Sequence, residues 1–395
     1  MSALSILYYN RALLSPEGPA IHAKELLHAL RELGVEVCCY PEPQSARNND
    51  GYLKKSPFRR RGGLVKESLK EAFRVLRGAV NSIVDACRLV RILRTRRADV
   101  ILTRSFEYNV APLIARRITG VPVICEVNAL LYMERRRSRH NLFLMLLRML
   151  EKRVIERSDA IYVVSDELLG VLETEGISPR RSFVVPNGVN GSVFHPGVAP
   201  KRDEIPIVKE DTIVIGFTGS LHPWHGVDVL LEAFDLVRQK AQNVALIVVG
   251  DGVEMAFLRG IVEDRKMGDW VWFTGSVNHS CIPAYVSGFD IAVAPYREKN
   301  PFYFSPLKVY EYMAMGKPVV ASSLGQLRDL FGDREAGILV DADDPKALAE
   351  GLLMLVGDRG KRLALGEGGR RRAVEGHLWT HTSEAVVDIC QKVSR

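Results

Sequence analysis

Lys308 and Glu311 lie three residues apart in FYFSPLKVYEYMAMGKPVVAS (302–322) and share a face if that stretch is helical. Ser305 and Pro306 just before them form an N-cap and first-turn pair, which would set free amide N–H groups around Ser305, Pro306 and Leu307 beside a lysine. Such a corner suits phosphate oxygens, and a carboxylate one turn deeper can accept two hydrogen bonds from a ribose diol. A second candidate is FTGSLHPWHG (217–226), where Gly219 and Ser220 end an apolar run and a helical pattern follows. It reads as a phosphate-holding turn, yet it offers Ser220, His222 and His225 and no Arg or Lys. Histidines spaced i, i+3 can bind zinc, but Pro223 and Trp224 between them argue for a turn, so no metal site is expected. Gly250 opens a third turn in GDGVEMAFLRGIV (250–262), which lacks the last glycine of a dinucleotide fingerprint. Gly18 and Pro19, in SPEGPAIHAKELLHAL (15–30), precede an amphipathic helix whose start could likewise take an anion. Glu126 and Asn128 end the apolar run in PVICEVNALLYMER (122–135). Glu126 can serve as a base or pair with nearby arginines, whereas Asn128 can bond a hydroxyl or phosphate oxygen but cannot act as a base at neutral pH.

Every one of these residues sits where a short apolar run gives way to helical periodicity, and the alternation predicts an α/β protein with parallel strands. Strands are expected at 5–9, 35–40, 99–103, 121–127, 160–165 and 182–186, and again at 212–218, 244–250, 271–275, 291–295, 318–322 and 337–341. The pattern thus runs twice. Pro- and charge-rich HPGVAPKRDEIPIVKED (195–211) is the expected linker, which gives a first domain over 1–205, a second over 206–377 and a terminal helix over 378–395 that could return to the first domain. Ligands of open parallel sheets bind beyond the carboxyl ends of the strands, so two such domains facing each other would enclose a cleft.

The chain has 395 residues, 47% hydrophobic and 26% charged, a globular composition too long for one ordinary core. Six cysteines without CxxC spacing suggest reduced, buried thiols and a cytoplasmic location. Apolar windows such as LFLMLL (142–147) fall short of a bilayer span, and the apolar start SALSILYY reads as a first strand rather than a secretory signal. The net charge of +7 is uneven: residues 53–97 hold fourteen Lys or Arg against Glu67, Glu71 and Asp85. One long helix is expected from Leu64 to Leu93, with Leu69, Phe73, Leu76, Val80, Ile83, Cys87 and Val90 as an apolar stripe that should pack against something. With ERRRSRHNLFLMLLRML (134–150) it makes a basic surface that could touch anionic lipid, or whose arginines are simply solvated. No nucleic-acid-binding motif accompanies it.

The order PNG (186–188), GSL…HG, GDG, then SPLKVYEYMA-GKPVVAS resembles glycosyltransferase family 4, over nearly the whole chain and most specifically in its second half. The resemblance implies a GT-B fold of two Rossmann-like, doubly wound parallel-sheet domains facing across a cleft. It implies a retaining transfer from a UDP- or GDP-sugar to a glycan or lipid-linked acceptor, without cofactor or metal, as in cell-surface polysaccharide or glycolipid synthesis, with the enzyme cytoplasmic or peripheral at the membrane. Glu311 matches the second, ribose-binding Glu of the family's EX7E motif. Two departures stand out: Ser220 and His225 replace the usual diphosphate-binding Arg and Lys, and Tyr303 replaces the first Glu, with Phe304 beside it. Lys308 is then expected to supply the cation, with Ser220 and His225 donating hydrogen bonds. Asn128 falls where the family often has a histidine facing the transferred sugar, so that the leaving diphosphate itself would take the acceptor proton. A nucleotide-sugar epimerase or phosphorylase on the same fold, or a non-catalytic nucleotide-sugar-binding scaffold, would share these turns.

Overall fold

The computed structural model describes residues 4–14, 18–42, 64–135, 141–298, 301–332 and 335–394. The basic residues at 54–61, the turn at 15–17 and the arginines at 136, 137 and 139 lie outside them. The chain forms two compact units, Met1–Pro186 with Thr382–Arg395, and Asn187–His381.

All twelve apolar runs are strands. The first unit holds β1 (Ser5–Tyr9), β2 (Glu36–Tyr40), β3 (Val100–Arg104), β4 (Val123–Val127), β5 (Ala160–Val163) and β6 (Ser182–Val184). They form one parallel sheet in the order β2-β1-β3-β4-β5-β6. The second holds β7 (Ile213–Thr218), β8 (Val244–Val249), β9 (Val271–Gly275), β10 (Ile291–Ala294), β11 (Val319–Ser322) and β12 (Ile338–Val340). Their parallel sheet runs β12-β11-β10-β7-β8-β9. In each sheet the strand order reverses beside the first strand of the unit, at β1/β3 and at β7/β10, the position where doubly wound sheets hold ligands.

Continuous apolar strands are buried on both faces, because crossover helices cover both sides of a parallel sheet. Alternation along β7 and β8 feeds two core layers: Ile215, Phe217, Leu246 and Val248 enter one, Val214, Ile247 and Val249 the other. Gly216 faces Phe289 so closely that a Cβ there would lie 2.2 Å from the ring.

The units divide at Pro186–Asn187, earlier than the boundary expected near 205. The segment after Asn187 packs into the second unit: Phe194 and Ile205 join its core, Lys201 N–H bonds Ala284 at 3.1 Å, and Arg202 pairs with Asp290 at 3.0 Å. At the other end, the helix Trp379–Ser394 has its residues from Thr382 onward in the first unit. There Arg181 bonds the Lys392 carbonyl at 2.9 Å, and Val386, Ile389 and Cys390 are buried.

The long basic helix runs Leu64–Thr95, but most of its expected apolar stripe from Phe73 on does not pack. Phe73, Leu76, Val80 and Ile83 are 51–66% exposed, and Cys87 is exposed too; of the stripe residues from Phe73 on, only Val90 is buried. The helix instead buries its opposite side through Ser82, Asp85, Ala86 and Leu89. Asp85 anchors it by accepting from Tyr9 Oη at 2.5 Å, Arg11 Nε at 2.8 Å and Tyr40 Oη at 2.9 Å.

The contact at Gly216 predicts that Gly216→Ala destabilises the second unit by about 1–3 kcal/mol, as overpacked cores do. A denaturant midpoint equal to wild type, with unchanged slope, would show that Phe289 moves aside without cost.

Candidate functional site

Two groups of polar residues collect beyond the strand ends, one in each unit. In the second unit the helix Leu307–Ala314 is fixed to β7 by Tyr312, whose hydroxyl accepts from Thr218 N–H at 2.7 Å and contacts its Oγ1 at 2.9 Å. This places Lys308 under the turn after β7. Its ammonium lies 4.0 Å from the centre of the Phe217 ring and 5.2 Å from that of Tyr296. A Cβ on Gly219 would be 2.8 Å from Nζ. Lys308 is only 9% exposed, and its Nζ has no hydrogen-bond partner among the described residues. Burial pulls its pKa down to about 7, against the opposing pull of Glu311. Aromatic faces offset part of the cost of burying the charge.

The turn above depends on glycine. Gly219 and Gly250 have φ near 140° and 136°, accessible to few other residues. A Cβ on Gly250 would lie 2.0 Å from the Gly219 carbonyl oxygen, and one on Gly252 2.4 Å from that of Leu221. The two glycine turns therefore touch backbone to backbone. Ser220 is exposed at the tip.

His225 closes the loop from the 3-10 turn Pro223–His225. Its Nδ1 bonds the Ser220 carbonyl, which can only accept, so Nδ1 carries the proton and Nε2 is a lone pair. Burial and then the neighbouring Lys308 charge hold its pKa down to about 3, which keeps it neutral. His225 was expected to donate to phosphate; in this tautomer its remaining ring nitrogen is an acceptor. No group of three or more metal-ligating side chains occurs among the described residues.

Three further expectations change. Ser305 is not the helix cap: the cap is Pro306, without a side-chain bond. Ser305 Oγ instead accepts from Asn187 N–H at 3.1 Å, and its carbonyl from Asn187 Nδ2 at 3.1 Å, which ties the PNG turn to the helix start. Pro306 has no N–H, so the helix start offers the Leu307 and Lys308 amides rather than Pro306's. Tyr303 is 2% exposed with its ring against Phe304 at 4.8 Å, packed rather than turned outward. Gly18 opens the helix Gly18–Glu32 as expected. Glu311 lies one turn past Lys308 with His279 Nε2 3.8 Å from its carboxylate; sequence reasoning missed His279.

In the first unit, strand register builds the second group. Arg104 on β3 pairs with Glu126 on β4, which pairs with Tyr162 on β5. Glu126 is fully buried and accepts from Asn128 Nδ2 at 2.6 Å and Tyr162 Oη at 3.1 Å. His22 Nε2 and Arg104 Nη1 lie 3.5 and 3.7 Å from its Oε1. Of the two alternatives for Glu126, base or partner of nearby arginines, the contact with Arg104 agrees with the second, and three further neighbours hold the carboxylate. The amide of Asn128 is thereby oriented: Nδ2 faces the carboxylate, and Oδ1 has no partner among the described residues. His22, Arg104 and Tyr162 were not singled out by sequence, since their partners lie 22 to 104 positions away along the chain.

Residues 16–192 match Glycosyltransferase Family 4, and residues 212–358 match Glycosyl transferases group 1. The D-inositol 3-phosphate glycosyltransferase of Geodermatophilus obscurus is 28% identical over 249 residues, 60% of this chain and 53% of that protein. The GDP-mannose-dependent alpha-(1-6)-phosphatidylinositol monomannoside mannosyltransferase of Mycobacterium tuberculosis is 26% identical over 210 residues, 52% of this chain and 54% of that protein. The chain thus spans about half the length of these curated relatives. Sucrose-phosphate synthase from Thermosynechococcus elongatus shares the fold with a TM-score of 0.69 at 21% identity, over 98% of this chain and 99% of that one. Anabaena HepE in complex with UDP does so with a TM-score of 0.71 at 16% identity, over 98% and 100%. With two Rossmann-like sheets of the GT-B kind and both halves matched, the chain belongs to glycosyltransferase family 4.

Proposed function

We propose that the chain is a retaining, metal-independent glycosyltransferase that moves a sugar from a UDP- or GDP-sugar to a glycan or lipid-linked acceptor in cell-surface polysaccharide or glycolipid synthesis. The second unit takes the donor and the first the acceptor. The carrying observation is the Lys308 ammonium, buried under a glycine turn without a hydrogen-bond partner among the described residues. A buried cation left unpaired is costly, and a diphosphate bound there would supply the missing anion. The relatives named for GDP-mannose and inositol phosphate, and HepE with UDP, support the same substrate class.

In this reading Lys308 and the first helical amides hold the diphosphate while Glu311 accepts from the ribose. The bond between the anomeric carbon and the diphosphate oxygen breaks, and the acceptor oxygen bonds that carbon on the same face. The leaving diphosphate oxygen takes the acceptor's proton, and Lys308 stabilises the charge that develops. His225 Nε2 accepts from a sugar hydroxyl. In the first unit Asn128 Oδ1 accepts from an acceptor hydroxyl, with Glu126 a positioning residue rather than the base.

The exposed stripe on Leu64–Thr95 supports a peripheral place at the inner face of the cell membrane. Phe73, Leu76, Val80 and Ile83 stand in one row with exposed Arg77, Arg88 and Arg91 on or beside it, and Met145 and Met149 are exposed on the helix Asn141–Arg157. An apolar row flanked by arginines fits an anionic bilayer surface. Among the described residues no helix is long and apolar enough to cross a membrane.

Lys308→Ala should raise the Kd for UDP or GDP by about ten- to a hundredfold, the worth of a charged hydrogen bond. Because the free lysine titrates near 7, binding above that pH must bring a proton with it. Affinity in calorimetry should therefore fall as pH rises past about 7, by up to about tenfold per unit, and the slope should vanish in Lys308→Met. A pH-independent wild-type affinity would remove Lys308 from the diphosphate site. Glu126→Gln should keep turnover, losing less than the roughly 10²–10⁴-fold that removal of a general base costs. Complete loss together with the acidic limb of the pH–rate profile would return the base role to Glu126. Vesicles containing anionic lipid should sediment the protein at low salt and release it at high salt, and Leu76→Glu with Ile83→Glu should weaken that binding by about tenfold or more. Equal binding to neutral vesicles, or none to either, would retire the membrane surface.

A further inference from the structure

The loop that covers Lys308 also carries a large ring turned outward. Trp224 is 44% exposed. Its indole lies flat on the His222 imidazole, with centroids 4.2 Å apart and planes 9° apart, and meets His225 edge-on at 5.9 Å. One face of the indole is thus covered by His222, and the exposed area belongs to the other. Isolated exposed apolar residues are ordinary on protein surfaces. What sets this one apart is how firmly it is held and what lies beneath it.

The backbone around Trp224 is locked from both sides. Gly226 adopts φ 63°, and a Cβ there would lie 1.9 Å from the Pro295 carbonyl oxygen. The Trp224 carbonyl accepts from Arg297 N–H at 3.2 Å, and Arg297 itself is held by Asp343 at 2.7 Å and by Asp228. His225 N–H returns to the His222 carbonyl at 2.9 Å and closes the turn. A rigid, preorganised aromatic face loses little freedom when a ligand arrives, which is how exposed Trp residues become binding anchors.

The loop ties the face to the anion pocket. His225, in contact with Trp224, also lies against Tyr296 at 5.7 Å and Phe217 at 6.1 Å, the two rings that flank the Lys308 ammonium. A ligand that places its diphosphate on Lys308 and its ribose on Glu311 has its sugar on the far side of the phosphates. A pyranose presents one face of C–H groups and a rim of hydroxyls, the shape and polarity that a flat indole beside polar groups complements.

We propose that the open face of Trp224, backed by His222, is a sugar-ring subsite on which the C–H face of a pyranose stacks, either the transferred sugar of the donor or the terminal sugar of the acceptor. This rests on the donor-site reading above and deepens it. Trp224 is here a specificity-determining contact; no proton or bond moves through it.

The test separates the two sources and separates this proposal from the reading beneath it. UDP, GDP, UDP-glucose and GDP-mannose are titrated by calorimetry into wild type, Trp224→Ala, Trp224→Phe and His222→Ala. Methyl α-glucoside and methyl α-mannoside are then added to the nucleotide-saturated proteins, with binding followed by saturation-transfer NMR. Because Trp224 is exposed, its removal should leave thermal stability and the Kd for bare UDP or GDP within about twofold. Trp224→Ala should weaken the sugar-dependent step by about tenfold, and Trp224→Phe should retain most of it. A loss in the nucleotide-sugar arm assigns the face to the donor sugar, and a loss in the methyl-glycoside arm assigns it to the acceptor. Unchanged sugar binding in Trp224→Ala overturns the stacking face while leaving the donor site standing. An equal loss for bare nucleotide overturns it too, since the ring would then hold the base. If wild type binds none of the four nucleotides, the donor-site reading falls and this proposal falls with it.

Discussion

A lysine ammonium held out of water, without a hydrogen-bond partner among the described residues, is the constraint around which the second unit is arranged. Burial alone would favour the neutral amine, and the pKa near 7 records that pressure. Two aromatic rings and the Glu311 charge moderate it but supply no acceptor atom at bonding distance. The surrounding peptide geometry follows from this placement. Glycine at 219 takes the φ of 140° that the turn above Nζ requires, and only glycine at 250 lets the neighbouring turn close against the first. Tyr312 fixes the lysine-bearing helix to the strand beneath by bonding both the amide and the hydroxyl of Thr218. The result is a rigid corner whose electrostatics are incomplete until an anion enters.

The first unit handles its buried charge in the opposite way. Glu126 is as deeply buried as any residue in its sheet, yet Asn128, Tyr162, His22 and Arg104 surround it. A carboxylate satisfied by donors on several sides is a scaffold, since a proton taken from a ligand would cost those bonds. Beside it an acceptor, Asn128 Oδ1, is left without a partner among the described residues. An unpaired cation and an unpaired carbonyl oxygen call for different kinds of partner, an anion for the first and a hydrogen-bond donor for the second.

The fold was legible because parallel strands buried on both faces must be continuous apolar runs, and all twelve stood between turn residues. Lys308 and Glu311 were legible for a local reason, since a spacing of three fixes a shared helical face whatever the tertiary structure. Contacts set by register were not. Nothing in the spacing of Arg104, Glu126 and Tyr162 says that they lie side by side; that follows from which strands neighbour which. The cap at Ser305 misled for a related reason. Serine before proline is a good local cap, but a long-range claim from Asn187 took its hydroxyl. The stripe from Phe73 to Ile83 failed in a third way: periodicity marks an apolar face without saying what covers it. Here the helix is anchored by its other side, through Asp85 and the tyrosines of β1 and β2.

The missing loop cations have a physical explanation in the same corner. His225 and Lys308 share the walls formed by Phe217 and Tyr296. Two like charges sharing those walls would repel, by about 4 kcal/mol at about 4 Å and less with distance at an effective dielectric near 20. A charged side chain at 225 and a buried one at 308 are therefore alternatives rather than additions. With the cation on the helix, the loop residue must be neutral, and the lowered pKa of His225 shows that Lys308 helps to keep it so. That neutrality is also what allows the loop to stack His222, Trp224 and His225 against one another, because an arginine or lysine at 225 would need solvent or an anion where an aromatic edge now sits. With the one charge on the helix and none on the turn, the loop is a rigid aromatic surface over a buried cation.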